Sequence, residues 1–439
     1  MKNLRRQLSD ILSADDNLDR SCQDIPPESC RQAPLNIRAN TANGAASKLA
    51  EQLAGPNLVL PWLFHILGSP VWLFGFLMPI KQTFSLLPQM IVAGQIRRLP
   101  IRKWVWVGCG LTQALCLLLM IPVALWLPPA GAGMTLLLLL IIFSSASGAA
   151  SVAFQDVLGK TVDKGHRGKL LARRAFYGGI LTLAAGLLLN QYRDGQDDLR
   201  AVLYLLLTAA VLWGLAALFF ALIREFPGAV AGGRNAIDEV RAGFSLVRRE
   251  PGFARFLRAR GLLLSIELAT PFYVLHAGQV LDLSATQIGT LIIAIGLAQI
   301  ISSPFWGKMA DRTSRHVMAL SAIIGALSAI MALAMVLVPD GLRPAGYALV
   351  FLLIGLAEAG VRLGRKTYLV DATPHTERAT YTAFSNSLIG VVALFSGITG
   401  LIAHQFGAAI MLVVVLLLML AAYWACRQMP EADQMRAAD

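Results

Sequence analysis

Four ionisable side chains stand where the chain offers them little water. Lys81, in the run Met78-Pro79-Ile80-Lys81-Gln82-Thr83, together with Glu267, Glu358 and Arg362, falls inside stretches of about twenty mainly apolar residues. A charge held at membrane depth costs about 3 kcal/mol even on lenient insertion scales, so it persists where it has a partner or a task. Lys81 is near the middle of its stretch, too far from either surface to snorkel, and its ammonium either binds an anionic group of a solute or pairs with a buried acid. Glu267, with Thr270 and Pro271 one turn on, either loads and releases a proton or forms a salt bridge with Lys81 or with a base of the tenth stretch. Glu358 precedes Arg362 by four residues, acid before base, which favours a local pair; Arg365 and Lys366, further on, suit a surface anchor. His65 and His276 stand near equivalent ends of the first and seventh stretches, where an imidazole either senses protons or is simply hydrogen-bonded. Gln82, Gln113, Gln299 and Asn386 either line a cavity or bond between helices; Gln155 and Asp156, at the inner end of the fourth stretch, are further candidates, Asp156 alternatively capping a helix or pairing with loop bases.

A second constellation lies in the turn Gly307-Lys308-Met309-Ala310-Asp311-Arg312-Thr313-Ser314-Arg315-His316, between apolar stretches 287–306 and 317–338. So many charges in one turn cannot lie in lipid, and the turn belongs at a membrane surface. Gly307 has no side chain to keep its helix from a neighbour, Asp311 suits a helix N-terminus, and Arg312 or Arg315 can reach carboxylates nearby. Together they would latch one of two conformations; alternatively they are loop charges that set topology. The first half holds a counterpart in Gly94, Arg98, Arg102 and Lys103, with Arg98 where the acid would stand.

These side chains need elements that cross a membrane. Of 439 residues 56% are hydrophobic and 15% charged, with a mean hydropathy of +0.61, against roughly 25% charged in a soluble domain. Apolar runs predict about twelve helical spans, at 46–67, 70–94, 103–127, 134–158, 169–190, 200–223, 258–281, 286–306, 316–338, 344–368, 380–403 and 407–427. The length of the runs excludes a barrel. The net charge of +12 suggests nucleic acid, yet the bases cluster in alternate breaks, as at Arg97 to Lys103 and Lys160 to Arg174, while 127–133 and 281–284 have none. That alternation is the positive-inside pattern; it excludes a nucleic-acid partner and puts both termini in the cytoplasm.

Residues 1–45 read as a cytoplasmic tail, with Leu4, Leu8, Ile11 and Leu12 on one face of a short amphipathic helix and flexible chain from 14 to 43. Cys22 and Cys30 are expected to stay reduced there, and their spacing fits no zinc site. Six spans follow in 46–223, then a linker at 224–257 in which Ile237, Val240, Phe244 and Val247 mark an amphipathic helix beside Arg241, Arg248 and Arg249. Six more spans occupy 258–428, before a tail at 429–439. An offset of about 212 residues relates the halves: Gly94 and Arg102-Lys103 answer Gly307 and Arg315-His316, and Thr161 to Arg167 answer Ala372 to Arg378.

Twelve spans, a halfway linker and the turn Gly307, Asp311, Arg312, Arg315 resemble the major facilitator superfamily of secondary transporters over residues 46–428. The family's loop reads roughly G-x-x-x-D-R-x-G-R-R/K; Ser314 replaces a glycine of the second copy and Arg98 the acid of the first. The fifth span, with Gly178 and Gly179, lacks the proline of the superfamily's antiporter signature, which weakens a drug–proton antiporter assignment. The resemblance implies an all-α polytopic membrane protein of two six-helix bundles in the inner membrane. It would move a small organic, anionic or amphiphilic solute by alternating access between lipid-embedded halves, with protons as the coupling ion. No phosphate-binding loop, metal-ligand cluster or activated nucleophile is present in the sequence, so neither cofactor, metal nor enzymatic chemistry is expected. An uncoupled facilitator, or a sensor or assembly factor on the same fold, stays open.

Overall fold

The computed structural model describes residues 27–162, 164–191, 198–227, 236–281, 283–310, 313–373 and 378–432, and among these the chain is helical with no strand. The first half comprises α1 (Pro27–Arg31), α2 (Ala33–Leu53), α3 (Val59–Ile66), α4 (Val71–Arg97), α5 (Lys103–Trp126), α6 (Pro129–Thr161), α7 (Lys164–Asn190) and α8 (Asp198–Ala221). The linker holds α9 (Ala236–Arg249). The second half comprises α10 (Pro251–Leu281), α11 (Ala285–Ala310), α12 (Ser314–Ala334), α13 (Arg343–Ala372), α14 (Arg378–Phe395), α15 (Thr399–Phe406) and α16 (Ala408–Arg427).

Among the described residues nine segments are long and apolar enough to cross a membrane. The three other expected spans fall on α2 with α3, on α4 and on α7; among the described residues α4 carries the apolar stretch Val71–Leu87. Ends follow local chemistry. Prolines open α2, α6 and α13, where a missing N–H costs nothing. The Thr313 hydroxyl accepts from the His316 amide to cap α12. Gly407, at φ +85°, turns the chain between α15 and α16.

The start of the first half corrects the sequence expectation. Residues 33–45 are helix rather than flexible tail, and the boundary expected at 46 falls inside α2. The cause is a buried polar face: Asn36, Asn40 and Asn43 are 0% exposed, and a hydropathy pattern takes such residues for tail. Asn36 exchanges hydrogen bonds with the Arg224 backbone, and the Asn43 amide donates to Ala216 O at 2.9 Å. Arg174 of α7 donates to Asn40 and Asn43 while its guanidinium stacks on Phe154. The membrane path of the first span is therefore α2, a break at 54–58, and α3. Similarly α10 begins at Pro251 rather than 258. Cys30 is disulfide-bonded, against the expectation of a reduced thiol; spacing that fits no metal says nothing about pairing. The amphipathic helix suggested for residues 4–12 lies outside the described residues.

Within the first half α5 packs on α6 and α8, α4 on α6, and α2 on α7 and α8; within the second α12 packs on α13 and α16, α11 on α13, and α10 on α16. The linker helix α9 lies on α14, with Phe244 edge-on to Phe384 at 5.1 Å. Two seams join the halves, α7 with α11 and α4 with α10, α14 and α15. Backbones nearly touch there: a Cβ on Gly75 would stand 2.3 Å from the Gly400 Cα. The α10 span is 78% buried, against 39% for α5, so α10 lies at the centre of the assembly.

Candidate functional site

Where α2, α4, α7, α10, α11 and α13 converge they enclose a cavity of about 410 Å³, within the range of small-molecule sites. Its charged lining is Lys48, Glu51, Lys81, Glu358, Arg362 and Lys366. The broken first span opens onto it through Gly55, Asn57 and Leu58, while Gln299 and Thr270 add polar groups. Lys48 pairs with Glu51 at 3.0 Å. Glu358, 7% exposed, accepts from the Thr270 hydroxyl at 3.2 Å and lies within electrostatic reach of Arg362, Glu267 and Lys81. Among the described residues Lys81, Arg362 and Lys366 have neither hydrogen bond nor ion pair. Glu358 and Arg362 make no ion pair at contact distance, although they lie within electrostatic reach of one another; the contact Glu358 makes is with Thr270.

Lys48 and Glu51 escaped sequence reasoning. With the first span placed at 46–67 they looked like residues of a membrane edge; with the helix starting at Ala33 they lie near the middle of the path from 33 to 66. The signal was present as a pair of opposite charges three apart. The expected position of Lys81 at the centre of its span agrees with its place on the cavity wall.

Glu267 stands beside the cavity on α10, 8% exposed. Its carboxylate accepts from the Gln82 amide of α4, so the contact crosses from one half to the other. Gln82, rather than Lys81, is the partner that α4 offers. The neighbouring Thr83 hydroxyl donates to Gly390 O of α14 at 2.7 Å, a second crossing. A third lies at the far end of α7, where the Asn190 amide donates to Thr286 O and Thr290. Among the other polar candidates, Asn386 accepts from Arg260 at 2.7 Å, which ties α10 to α14. Gln113 is fully buried away from the cavity, with both amide atoms unpartnered. His276 is 3% exposed and hydrogen-bonded through Nδ1 to the Tyr347 hydroxyl; His65 is exposed, its ring set against Gly278.

The ends that carry the basic loops hold two charge clusters. In the first half Arg102, 7% exposed, reaches Asp156 at 3.2 Å. The backbone amides of Arg102 and Lys103 both donate to Glu225, at 2.8 and 2.7 Å, and Lys160 meets the same carboxylate at 2.8 Å. Glu225 thus satisfies the open amides at the start of α5 and answers the helix dipole. Glu225, which follows α8, was not singled out from the sequence. In the second half Arg315 meets Glu431, after α16, at 2.6 Å and donates to Met429 O at 2.9 Å. Gly307 does not serve close packing: a Cβ there would meet nothing within 4 Å. Asp311 and Arg312 lie outside the described residues, and Gly94 is in the last turns of α4.

Residues 261–436 match the family model described as Major Facilitator Superfamily. Over 277 residues, 62% of this chain, the sequence is 25% identical to uncharacterized proteins of Mycobacterium tuberculosis and Mycobacterium bovis, and the match spans about half (53%) of their length. Among solved structures, a nucleoside transporter superposes with a TM-score of 0.66 at 15% identity, covering 89% of this chain and 99% of that one. A D-xylose–proton symporter gives 0.69 at 12% identity, covering 91% and 98%. The xylose transporter of E. coli in an inward-open conformation gives 0.66 at 12% identity, covering 92% and 99%. At such identities the likeness to these structures is one of fold.

Proposed function

We propose that the chain is a proton-coupled secondary transporter of the major facilitator superfamily, a reading supported by the family-model match over residues 261–436 and by a fold shared with solved transporters. Its solute is a small organic molecule that binds the central cavity and crosses by alternating access of the two halves. The observation that carries this reading is the Gln82–Glu267 bond, a carboxylate of one half held by an amide of the other beside a charged cavity.

Ionised Glu267 is a strong acceptor and ties α10 to α4. A proton on it removes the charge and leaves a bond about half as strong, which loosens the seam. The same seam is held near mid-span by Thr83 with Gly390 and, toward the end that lacks basic loops, by the approach of Gly75 to Gly400. Along α13 the cavity runs from Phe351 to Lys366, toward the basic end. With basic loops in the cytoplasm of an inner-membrane protein, the Gly75–Gly400 approach supports reading this conformation as closed toward the outside. Glu358, on the cavity wall beside Thr270, is placed to exchange charge with both Glu267 and a bound solute.

Proteoliposomes with an internal pH dye test the proposal. Solute-driven acidification or alkalinisation is expected in the wild type and is lost in Glu267→Gln. Solute flux with unchanged proton movement in Glu267→Gln would remove the role given to that carboxylate, and flux without any proton movement in the wild type would make the protein a facilitator.

A further inference from the structure

The cavity's charges do not balance. Four cations, Lys48, Lys81, Arg362 and Lys366, face it against two carboxylates, Glu51 and Glu358. Lys48 pairs with Glu51 at 3.0 Å and the Glu358 carboxylate accepts from Thr270, while Lys81 and Arg362 lie within electrostatic reach of both carboxylates without contacting either. Lys81, Arg362 and Lys366 are left facing the cavity without an ion pair or hydrogen bond among the described residues. Arg365, Arg362 and Lys48, all of them cations, lie within electrostatic reach of Lys366. Like charges gathered in one site within the membrane raise its free energy until an anion enters. Arg362 and Lys366 are four apart and present their heads from one face of α13, whereas Lys81 comes from α4 in the other half.

We propose that the cavity binds an organic solute with a doubly negative oxyanion group, a phosphate monoester or a dicarboxylate, clasped between Lys81 of the first half and Arg362 and Lys366 of the second. This rests on the transport reading above and specifies its solute. The planar guanidinium of Arg362 supplies the paired donors that match two oxygens of one head group, and the two ammonium groups supply point charges from either side. Because the cations sit on different halves, the anion draws the halves together around itself, which the ionic solute does and a neutral one does not.

The test uses the full-length protein in lipid nanodiscs for calorimetry and in proteoliposomes for counterflow, with glycerol phosphate, succinate, lactate and xylose as probes. At least one of the two dianions is expected to bind about tenfold or more tighter than lactate or xylose, the equivalent of one retained charge-assisted contact; which of the two binds identifies the head group. Arg362→Gln and Lys81→Gln should each weaken that dianion at least about tenfold, and Lys81→Arg should restore most of the loss. Dianions that bind no tighter than lactate or xylose overturn the inference in the wild type alone, so a variant that fails to fold does not shelter it. Dianion binding without counterflow supports the inference and overturns transport; counterflow of xylose alone does the reverse.

Discussion

The two halves brace their basic ends with the same parts and very different depth. In each, an arginine at the start of a helix, Arg102 just before α5 or Arg315 in the first turn of α12, works beside a glutamate that follows the last helix of that half, Glu225 after α8 or Glu431 after α16. Glu225 has no exposed side-chain surface, takes two backbone amides and a lysine, and is backed by the Arg102–Asp156 pair. Glu431 is 35% exposed and shares Arg315, itself 24% exposed, with a backbone carbonyl. The second half carries the better copy of the loop motif, yet the denser brace is in the first, where Arg98 replaces the acid. A carboxylate arriving from another helix can do what a motif position was expected to do. Energetically the two differ in kind, since breaking a buried pair strands its partners and breaking an exposed one lets water in.

The contrast can be broken most directly at its strong end. Glu225→Gln should destabilise the protein by about 3–5 kcal/mol, read from thermal or denaturant unfolding in detergent, because Lys160 loses its counter-ion; a loss near that of Glu431→Gln would erase the distinction. The opposite end of the molecule offers the next effect. Gly75→Ala sets a Cβ 2.3 Å from the Gly400 backbone, and such overpacking costs about 1–3 kcal/mol in the state closed there. Labelling of a cysteine placed on the α4–α15 seam should rise accordingly, and unchanged labelling would mean the seam yields without opening. At the weak brace, Glu431→Gln should cost about 1 kcal/mol or less and the difference should shrink further in high salt. The smallest effect belongs to the motif glycine: Gly307→Ala, with nothing near its Cβ, should leave transport intact and stabilise by about 0.5 kcal/mol through the unfolded chain. A severe loss from that change would show a neighbour approaching Gly307 in another conformation of the cycle.

Much of this architecture was legible in residue order. Runs such as 103–127, 200–223 and 407–427 match α5, α8 and α16 closely, because a helix that meets lipid must be apolar over its whole exposed surface. The linker helix α9 also follows from its pattern. The first span was misplaced because α2 faces α7 and α8 rather than lipid along its first turns, where Asn36 and Asn43 donate their amides and Asn40 accepts from Arg174 inside the protein. Lys48 and Glu51 went unnoticed for the same reason. Lys81, Glu267 and Glu358 were visible as charges with no nearby surface, but not their partners. Gln82 instead of Lys81 for Glu267, and Thr270 instead of Arg362 for Glu358, depend on which helices meet across the seam.

The sequence by itself determined that this protein is a helical membrane protein built in two related halves, that its basic loops share one side, and that a handful of charges lie deep within it. Those properties follow from one-dimensional constraints, apolar length and charge placement relative to a bilayer. Only the tertiary structure decided which of those charges are paired and which face the cavity unpaired, that Glu225 braces the first half, and that Gly75 rather than Gly307 marks a close helix approach. Such outcomes depend on distances between helices far apart in the chain, to which apolar periodicity is blind.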